Sequence, residues 1–291
     1  MSASANSSST IPKNSWRELP NKKNIAPLNG AFYYEFALTN GSTAHLVVAY
    51  TKTGKWRVKP IILDKTTPTS EVGSQQSASA AINGGFFNLS NGASASYVVI
   101  DGKTVADPHD NKALMDNVKL KEFLPQIFNR SELRILKGPD GKSTEFQICK
   151  HQDPLPTGLV MLDSLQAGPA LLPTLDDADE AFIRKQPDGT VADSISCKKP
   201  AARTAFGITR DGYALFLCVS GKGQDKESSG INLEELADLM KRLGCRQAIN
   251  LDGGSSTSMY VNLAENSAAG RSVCAKDPET RVKTVLMLMP Q

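Results

Sequence analysis

The feature that most constrains the fold is a set of three Asx-Gly pairs, each of which lies between two strand-like runs. The pairs are Asn40-Gly41, Asp101-Gly102 and Asp211-Gly212. Such pairs favour tight hairpin turns, because Asn, Asp and Gly tolerate the positive φ angles that these turns require. The first pair joins AFYYEFAL to TAHLVVAY, and the third joins residues 204–209 to 213–219. The pattern predicts antiparallel sheet.

Helical structure is predicted in two places. Asn232 is a good N-cap, and Glu235 follows three residues later, as in a capping box, while Gly244 suits the end of the same helix. Residues 111–129 are predicted to be helical in part, with a break at Pro125. Because strands outnumber helices, the predicted fold class is α+β, with mainly antiparallel sheets and a few packed helices.

Composition sets the class of protein. The chain has 291 residues, of which 40% are hydrophobic and 22% charged, as in ordinary soluble domains. The net charge of +3 gives no support for a nucleic-acid partner, and no apolar run reaches the ~18 residues of a membrane span. Residues 1–30, which begin MSASANSSST, are predicted to be a disordered or extended lead, and residues 31–291 a single domain.

The predicted location is exported (periplasmic, extracellular or lumenal), with the signal peptide absent from this chain, and a cytoplasmic location is the alternative. Cys218 lies in an apolar strand pattern and is predicted to be a buried thiol. The other four cysteines are able to form two disulfides in an exported protein, and the sequence leaves their pairing open.

The strongest site candidate is the segment RQAINLDGGSSTSMY at 246–260. A short apolar strand leads to Asp252, the glycines at 253 and 254 free the backbone for close approach of a ligand, and hydroxyl side chains follow. Turns use the same residue types, so a solvent-exposed hairpin is the alternative interpretation.

A second segment, ASAAINGGFFNLSNG at 78–92, echoes the first. Ala-Ile-Asn precedes a double glycine at Asn83, as it precedes Leu-Asp-Gly-Gly at Asn250. The similarity is open to three explanations: a faint internal repeat, two loops that converge on one pocket, or chance.

Further candidates are scattered. Arg203 is predicted at the mouth of a strand, while Asp163 and His109 are weaker candidates for an acid or base. His109 stands in an Asp-Pro-His-Asp cluster, for which a solvated loop is favoured over a metal site because histidine is scarce. The acidic run 176–180 is predicted to be a solvated helix start.

Four segments occur in one order: INGGFF, QAGPALL, RTAFGITRDG and GINLEELADLMKRLGCRQAINLDGGSSTSM. Together they resemble the phosphodiester glycosidase family over roughly residues 78–290, and the last segment is the most specific. The resemblance implies a hydrolase that cleaves the glycosidic bond of a sugar-1-phosphodiester and releases sugar and a phosphate monoester. It also implies an exported or lumenal setting for many members. This chain departs from the family pattern at Ser255, where a third glycine is usual, and at Ser220, where an acidic residue is frequent.

The resemblance, together with the chemistry of such a substrate, assigns roles. Asp252 is predicted to act on the anomeric carbon directly or through water, Arg203 to hold the phosphate through a bidentate fork, and Asn83 to complete the catalytic set. The predicted substrate-binding residues, as backbone donors or orienting side chains, are Gly84, Gly85, Asn250, Gly253, Gly254, Ser255 and Ser256. No metal ligand or cofactor is predicted, although a divalent cation is left open.

The predicted partner is a small-molecule or polymeric sugar-phosphate substrate, and the sequence does not predict an oligomeric state. Two alternative functions remain: a non-catalytic glycan- or polysaccharide-binding module, and a metal-dependent phosphodiesterase. A serine hydrolase that uses Ser255 or Ser256 is disfavoured, because the sequence has no G-x-S-x-G elbow.

Overall fold

The computed structural model describes residues 15–141, 143–186, 188–222, 224, 229–265 and 270–291. Its largest sheet has seven strands, and all neighbouring strands pair antiparallel. With strands numbered in chain order, the spatial order is β1 (Lys23–Asn24), β2 (Ala31–Ala37), β3 (Thr43–Tyr50), β15 (Tyr213–Val219), β14 (Arg203–Thr209), β16 (Cys245–Asn250) and β11 (Ala170–Leu172).

Two five-stranded antiparallel sheets and a two-stranded ribbon complete the described strands. One sheet has the order β7 (Lys103–Ala106), β6 (Val98–Ile100), β10 (Val160–Gln166), β8 (Ser131–Lys137) and β9 (Thr144–Lys150). The other has the order β18 (Arg271–Cys274), β17 (Met259–Val261), β5 (Ala80–Asn83), β19 (Arg281–Pro290) and β4 (Trp56–Pro68). The ribbon pairs β12 (Ile183–Lys185) with β13 (Val191–Asp193).

The described helices are short. They are α1 (Thr69–Gln75), α2 (Lys112–Met115), α3 (Leu124–Phe128) and α4 (Leu233–Arg242). The predicted fold class, α+β with mainly antiparallel sheet, is therefore confirmed. Within the described part of the chain, no helix combines the length and the apolar character needed to cross a bilayer.

The three predicted hairpins are present. β2–β3, β6–β7 and β14–β15 are each antiparallel pairs, and their turn glycines all have positive φ. In the third hairpin, Phe206 lies opposite Phe216, and both rings fill the core on one face of the seven-stranded sheet. Leu215 and Leu217 point to the other face, where they pack in a core that includes α4. The sheet is thus buried on both faces.

The predicted helix limits are also confirmed at α4. The Asn232 side chain accepts from the Glu235 N–H at 2.9 Å, and the Glu235 carboxylate accepts from the Asn232 N–H at 2.8 Å. Gly244 ends the helix at φ 93°. Residues 111–129 are helical in part, as predicted, and a boundary lies next to Pro125: a 3-10 helix (Val118–Phe123) ends there and α3 begins, with Pro125 in its first turn, where no N–H is needed.

The described part of the N-terminal lead packs against the domain. Residues 1–14 lie outside the described residues. From residue 15 onward the chain packs: Trp16, Leu19 and Ile25 are all buried, and the Trp16 N–H donates to the Leu243 carbonyl at 3.2 Å.

The acidic run 176–180 and the cysteines differ in how they agree with the sequence predictions. The solvated helix start at 176–180 is wrong, because Glu180 is fully buried and its carboxylate accepts from the Ser131 hydroxyl at 2.7 Å and the Ala170 N–H at 2.9 Å. All five cysteines are free thiols, and Cys218 is buried as predicted.

Candidate active site

The two Ala-Ile-Asn segments meet, although they belong to different sheets. β5 ends at Asn83 in a five-stranded sheet, and β16 ends at Asn250 in the seven-stranded sheet. The Asp252 N–H donates to the Gly84 carbonyl at 2.9 Å, and Asn83 Nδ2 donates to the Asp252 carbonyl at 2.6 Å. Of the three explanations for the sequence echo, convergence of two loops therefore describes the structure.

The Asn83 side chain connects the chain segments that meet at this place. Its Oδ1 atom accepts from the Thr204 hydroxyl at 2.7 Å and from the Ser258 N–H at 3.1 Å. Asn83 is fully buried, so its amide connects three chain segments and does not face solvent. This placement gives Asn83 a positioning role at the site.

The glycines permit close contact between backbones. A Cβ atom at position 84 would lie 2.5 Å from Thr284 Oγ1, and one at position 85 would lie 2.5 Å from the Gln166 carbonyl oxygen. A Cβ atom at position 253 would lie 2.9 Å from the Ala202 carbonyl oxygen. Larger residues at these positions would push apart the chain segments that meet there.

The N–H groups of the same glycines are already engaged. The Gly84 and Gly85 N–H groups donate to the Thr284 carbonyl and hydroxyl, each at 2.8 Å. The Gly253 N–H donates to Asp252 Oδ1, and the Gly254 N–H donates to the Ala202 carbonyl, each at 2.9 Å. Their predicted role as backbone donors to phosphate or sugar does not fit this geometry.

The Asp252 side chain is partly exposed at the junction. Burial among its neighbours raises the pKa of this carboxyl to about 7, while hydrogen bonds from Ser256 and Gly253 lower it in part. Among the described residues, no Lys, Arg or His forms an ion pair with Asp252. The site therefore holds a carboxyl that changes its charge near neutral pH.

The hydroxyl residues after the turn differ in exposure. Ser255 is exposed beside the turn, whereas Ser256 is buried and hydrogen bonds to the Asp252 carboxyl. Ser258 is buried beneath them, where its hydroxyl lies 2.6 Å from the Thr69 hydroxyl. Ser255 is thus the one of these three serines that is exposed to solvent.

Arg203 does not extend into an open site. Its side chain is buried, and its guanidinium donates only to backbone carbonyls in the described structure. The acceptors are the carbonyls of Ile231 at 2.8 Å, Ile195 at 2.9 Å, Ser196 at 2.7 Å and Lys199 at 3.0 Å. A bidentate fork to phosphate would compete with these four bonds, so the geometry gives Arg203 a structural role in fixing the nearby loops.

Asn250 braces a second strand end. Its Nδ2 atom donates to the Gly168 carbonyl at 2.9 Å, and its backbone carbonyl accepts from the Gly168 N–H at 2.9 Å. Asn250 Oδ1 is buried and has no hydrogen-bond partner among the described residues. The buried Asn250 side chain thus fixes the Gly168-Pro169 turn to the end of β16, and its Oδ1 atom accepts no hydrogen bond from the described residues.

The two weaker acid–base candidates lie in other networks. Asp163 is fully buried and accepts from the Asp101 N–H at 3.0 Å and from Arg57 at 3.3 Å. His109 Nδ1 lies 2.7 Å from Asp107 Oδ1. In the described part of the chain, no group of three or more His, Cys, Asp or Glu side chains is arranged to hold a metal ion.

The sequence analysis did not identify several residues that support the candidate active site. Thr204 and Thr284 contact Asn83 and the first glycine pair, yet threonine in a strand carries no signal of such a role. Gln224 Nε2 donates to the Gly254 carbonyl at 2.9 Å and to the Thr257 carbonyl at 3.3 Å, which fixes the turn after Asp252. Gln224 also lines a cleft of about 630 Å³, whose lining does not include Asp252.

The fold and the site define an antiparallel α+β domain whose candidate active site lies at the joint between two sheets, around one carboxyl. A model of the phosphodiester glycosidase family matches residues 76–289. The chain belongs to this family, as its resemblance predicts.

Curated relatives match over a short segment. The bovine N-acetylglucosamine-1-phosphodiester alpha-N-acetylglucosaminidase is 42% identical over 62 residues, which is 21% of this chain and 11% of that protein. The mouse protein of the same name is 37% identical over 62 residues, with the same coverage. The match thus spans about a tenth of the length of these relatives.

Solved structures are similar over nearly the whole chain. A hypothetical protein from Synechocystis has a TM-score of 0.62 at 16% identity, over 94% of this chain and 64% of that chain. The zebrafish N-acetylglucosamine-1-phosphodiester alpha-N-acetylglucosaminidase catalytic domain, auto-inhibited by its pro-peptide, has a TM-score of 0.60 at 17% identity, over 92% and 87%. A protein of Burkholderia pseudomallei K96243, whose description proposes export, has a TM-score of 0.58 at 16% identity, over 88% and 74%. At these identities the matches establish the fold.

Proposed function

We propose that this protein hydrolyses the glycosidic bond of a sugar-1-phosphodiester and releases the sugar and a phosphate monoester, with Asp252 as the reacting carboxyl. The observation that carries the proposal is the Asp252 side chain itself. It is partly exposed where two double-glycine turns meet, and burial raises its pKa to about 7. Membership of the phosphodiester glycosidase family supports the reaction class.

The chemistry of the leaving group explains why one such carboxyl is useful. A phosphate monoester departs readily, so protonation of the leaving oxygen matters less than in ordinary glycosidases. The site needs negative charge at the anomeric carbon, where positive charge develops in the transition state. A deprotonated Asp252 supplies this charge, either as a nucleophile or as a base that activates water.

Neighbouring residues keep this carboxyl in place. Ser256 and the Gly253 N–H hydrogen bond to the carboxylate, and Asn83 holds the Asp252 carbonyl at 2.6 Å. Arg203 acts at a distance, by fixing the carbonyls of the adjacent loops. Ser255 is exposed beside the turn and is assigned to contact the sugar or phosphate.

An exported location is part of the proposal. It is supported by the description of the Burkholderia pseudomallei relative, which proposes export.

The test is hydrolysis of α-N-acetylglucosamine-1-phospho-methyl ester, chosen because the bovine and mouse relatives are named for N-acetylglucosamine phosphodiesters. Free sugar together with methyl phosphate is the expected result, with and without chelator, and in isotopically labelled water the solvent oxygen should appear in the sugar, because cleavage of the P–O bond on the sugar side would place it in the phosphate. Release of sugar-1-phosphate and methanol would mean that a P–O bond is cut, and would replace the proposal with the phosphodiesterase alternative. Binding of the ester without any turnover would favour the glycan-binding module.

A further inference from the structure

Two clefts lie at the end of the seven-stranded sheet that is opposite to Asp252, one against each face of the sheet. Trp56 and Ile135 of one core line the larger cleft, and Trp16 and Leu243 of the other core line the smaller cleft. Their volumes are about 900 and 610 Å³, and they share Thr209, Arg210 and Arg246 as lining residues. β14 runs from Arg203, near the candidate site, to Thr209 at these clefts. Seven residues of extended strand place the clefts ~20 Å from the candidate site. We call the two clefts, together with the sheet end at Thr209, Arg210 and Arg246 that lies between them, the basic groove.

The basic groove carries an excess of positive charge. The cations that line it are Arg17, Lys52, Arg57, Lys137, Arg210, Lys241 and Arg246, and the carboxylates are Asp101, Asp140, Glu145 and Asp211. Arg17 pairs with Asp211 at 2.8 Å, and Arg57 with Asp101 at 3.4 Å. In the described structure the other five cations form no ion pair within 4.0 Å. Their charge is thus available to an anionic ligand.

The floor of the larger cleft has a different character. Phe146 and Leu162 lie among its lining residues, and because both are half-buried they present some apolar surface, beside the buried Trp56. Ser143, Thr144 and Glu145 add hydroxyl and carboxylate oxygens, which accept hydrogen bonds from sugar hydroxyls. Sugar rings suit such a mixture, because their apolar faces pack on side chains while their hydroxyls find acceptors.

We propose that the basic groove binds an anionic glycan polymer, in which charged groups such as phosphate or sulfate are spaced along sugar rings. The carboxylates of the groove argue against nucleic acid, because a phosphate at every nucleotide would meet them at close range. The groove and the candidate active site lie at opposite ends of β14, so binding in the groove does not depend on hydrolysis.

The test measures binding of fluorescein-labelled, sparsely sulfated dextran sulfate, in which only some of the sugars are charged, by anisotropy, with labelled neutral dextran as the uncharged control. Arg210→Ala/Arg246→Ala removes the two exposed cations that both clefts share. We expect about 2- to 30-fold weaker binding, as for the loss of two solvent-exposed ion pairs. The slope of log Kd against log salt should fall by about two, one for each lost cation.

Matched variants distinguish binding at the basic groove from a general effect of the positive charge of the protein. Lys119→Ala/Lys121→Ala removes the same charge from an exposed segment that lines neither cleft, and should leave binding unchanged. Arg210→Lys/Arg246→Lys keeps the charge and should retain most of the affinity. Hydrolysis of a small phosphodiester should be the same in all three double variants.

Three outcomes would overturn the proposal: equal weakening in both alanine pairs, absence of dextran sulfate binding to the natural chain, or tighter binding of labelled single-stranded DNA of equal charge. Specific binding without any phosphodiester turnover would leave the groove in place and refute only the proposed function.

Discussion

Asp252→Asn should make the protein more stable at neutral and alkaline pH. Burial raises the pKa of the Asp252 carboxyl from an ordinary 3.8 to about 7. Between these values the folded state keeps a proton that the unfolded state has released, so the folded state loses stability as pH rises. Asparagine carries no charge at any pH, and therefore avoids this loss.

The size of the effect follows from the pKa difference. About three pKa units at 1.36 kcal/mol each give an upper limit of ~4 kcal/mol in the free energy of unfolding. Since Asp252 is partly exposed, solvent reduces this figure, and we expect Asp252→Asn to gain about 2–4 kcal/mol above pH 7. The gain should shrink as pH falls and vanish near pH 4, where the aspartic acid is protonated in both states.

Urea unfolding of Asp252→Asn and of the natural chain between about pH 4 and about pH 8 measures this difference. The contributions of the other titrating groups to the free energy of unfolding are the same in both proteins and cancel in the comparison. Asp179→Asn is the matched control, because Asp179 is exposed, and its effect should be small at every pH. A difference between Asp252→Asn and the natural chain that does not grow with pH would refute the reasoning.

Four further predictions concern activity. Asp252→Asn should fold yet lose turnover of a sugar-1-phosphodiester by ~10²-fold or more, and an unchanged kcat would remove Asp252 from its role. The kcat/KM of the natural chain should rise with pH through about 7, and Ser256→Ala should move this rise to higher pH, because Ser256 lowers the pKa of Asp252. A rate that falls through this range would make Asp252 an acid instead. Arg203→Ala should reduce activity on a phosphodiester and on an aryl glycoside equally, because its donors are bound to carbonyls; a loss confined to the phosphodiester would restore the phosphate fork. Gly85→Ala should lower both the melting temperature and kcat, because its Cβ would lie 2.5 Å from the Gln166 carbonyl oxygen; a normal melting temperature would show that the backbone can yield there.

Local sequence signals predicted much of the fold. The Asx-Gly pairs indicated hairpins, and the reciprocal cap of Asn232 and Glu235 indicated the start of α4, because each signal depends on residues close in the chain. Glu180 shows the limit of this approach: an acidic run is solvated by default, yet this carboxylate is buried by partners at Ser131 and Ala170.

The sequence predicted that two strand ends come together, but it did not predict the directions of their side chains. The pattern Asn-Gly-Gly and the pattern Asn-Leu-Asp-Gly-Gly marked two strand ends that do meet. However, the sequence does not say which way a side chain points, and Asn83 and Arg203 both face the interior. Which of these residues take part in catalysis remains a prediction for the variants above to test.

The hydrogen bonds that Asn83 and Gly85 form with distant parts of the chain have a consequence for refolding. The contact from Asn83 to Asp252 spans 169 residues, and that from Gly85 to Thr284 spans 199. Hairpins such as β2–β3 close over a few residues and form early, whereas contacts of such long sequence separation must first overcome a large entropy of loop closure. After dilution from denaturant, β-sheet signal should therefore return before turnover of the phosphodiester, and the interval between them measures how long these distant segments of the chain take to meet.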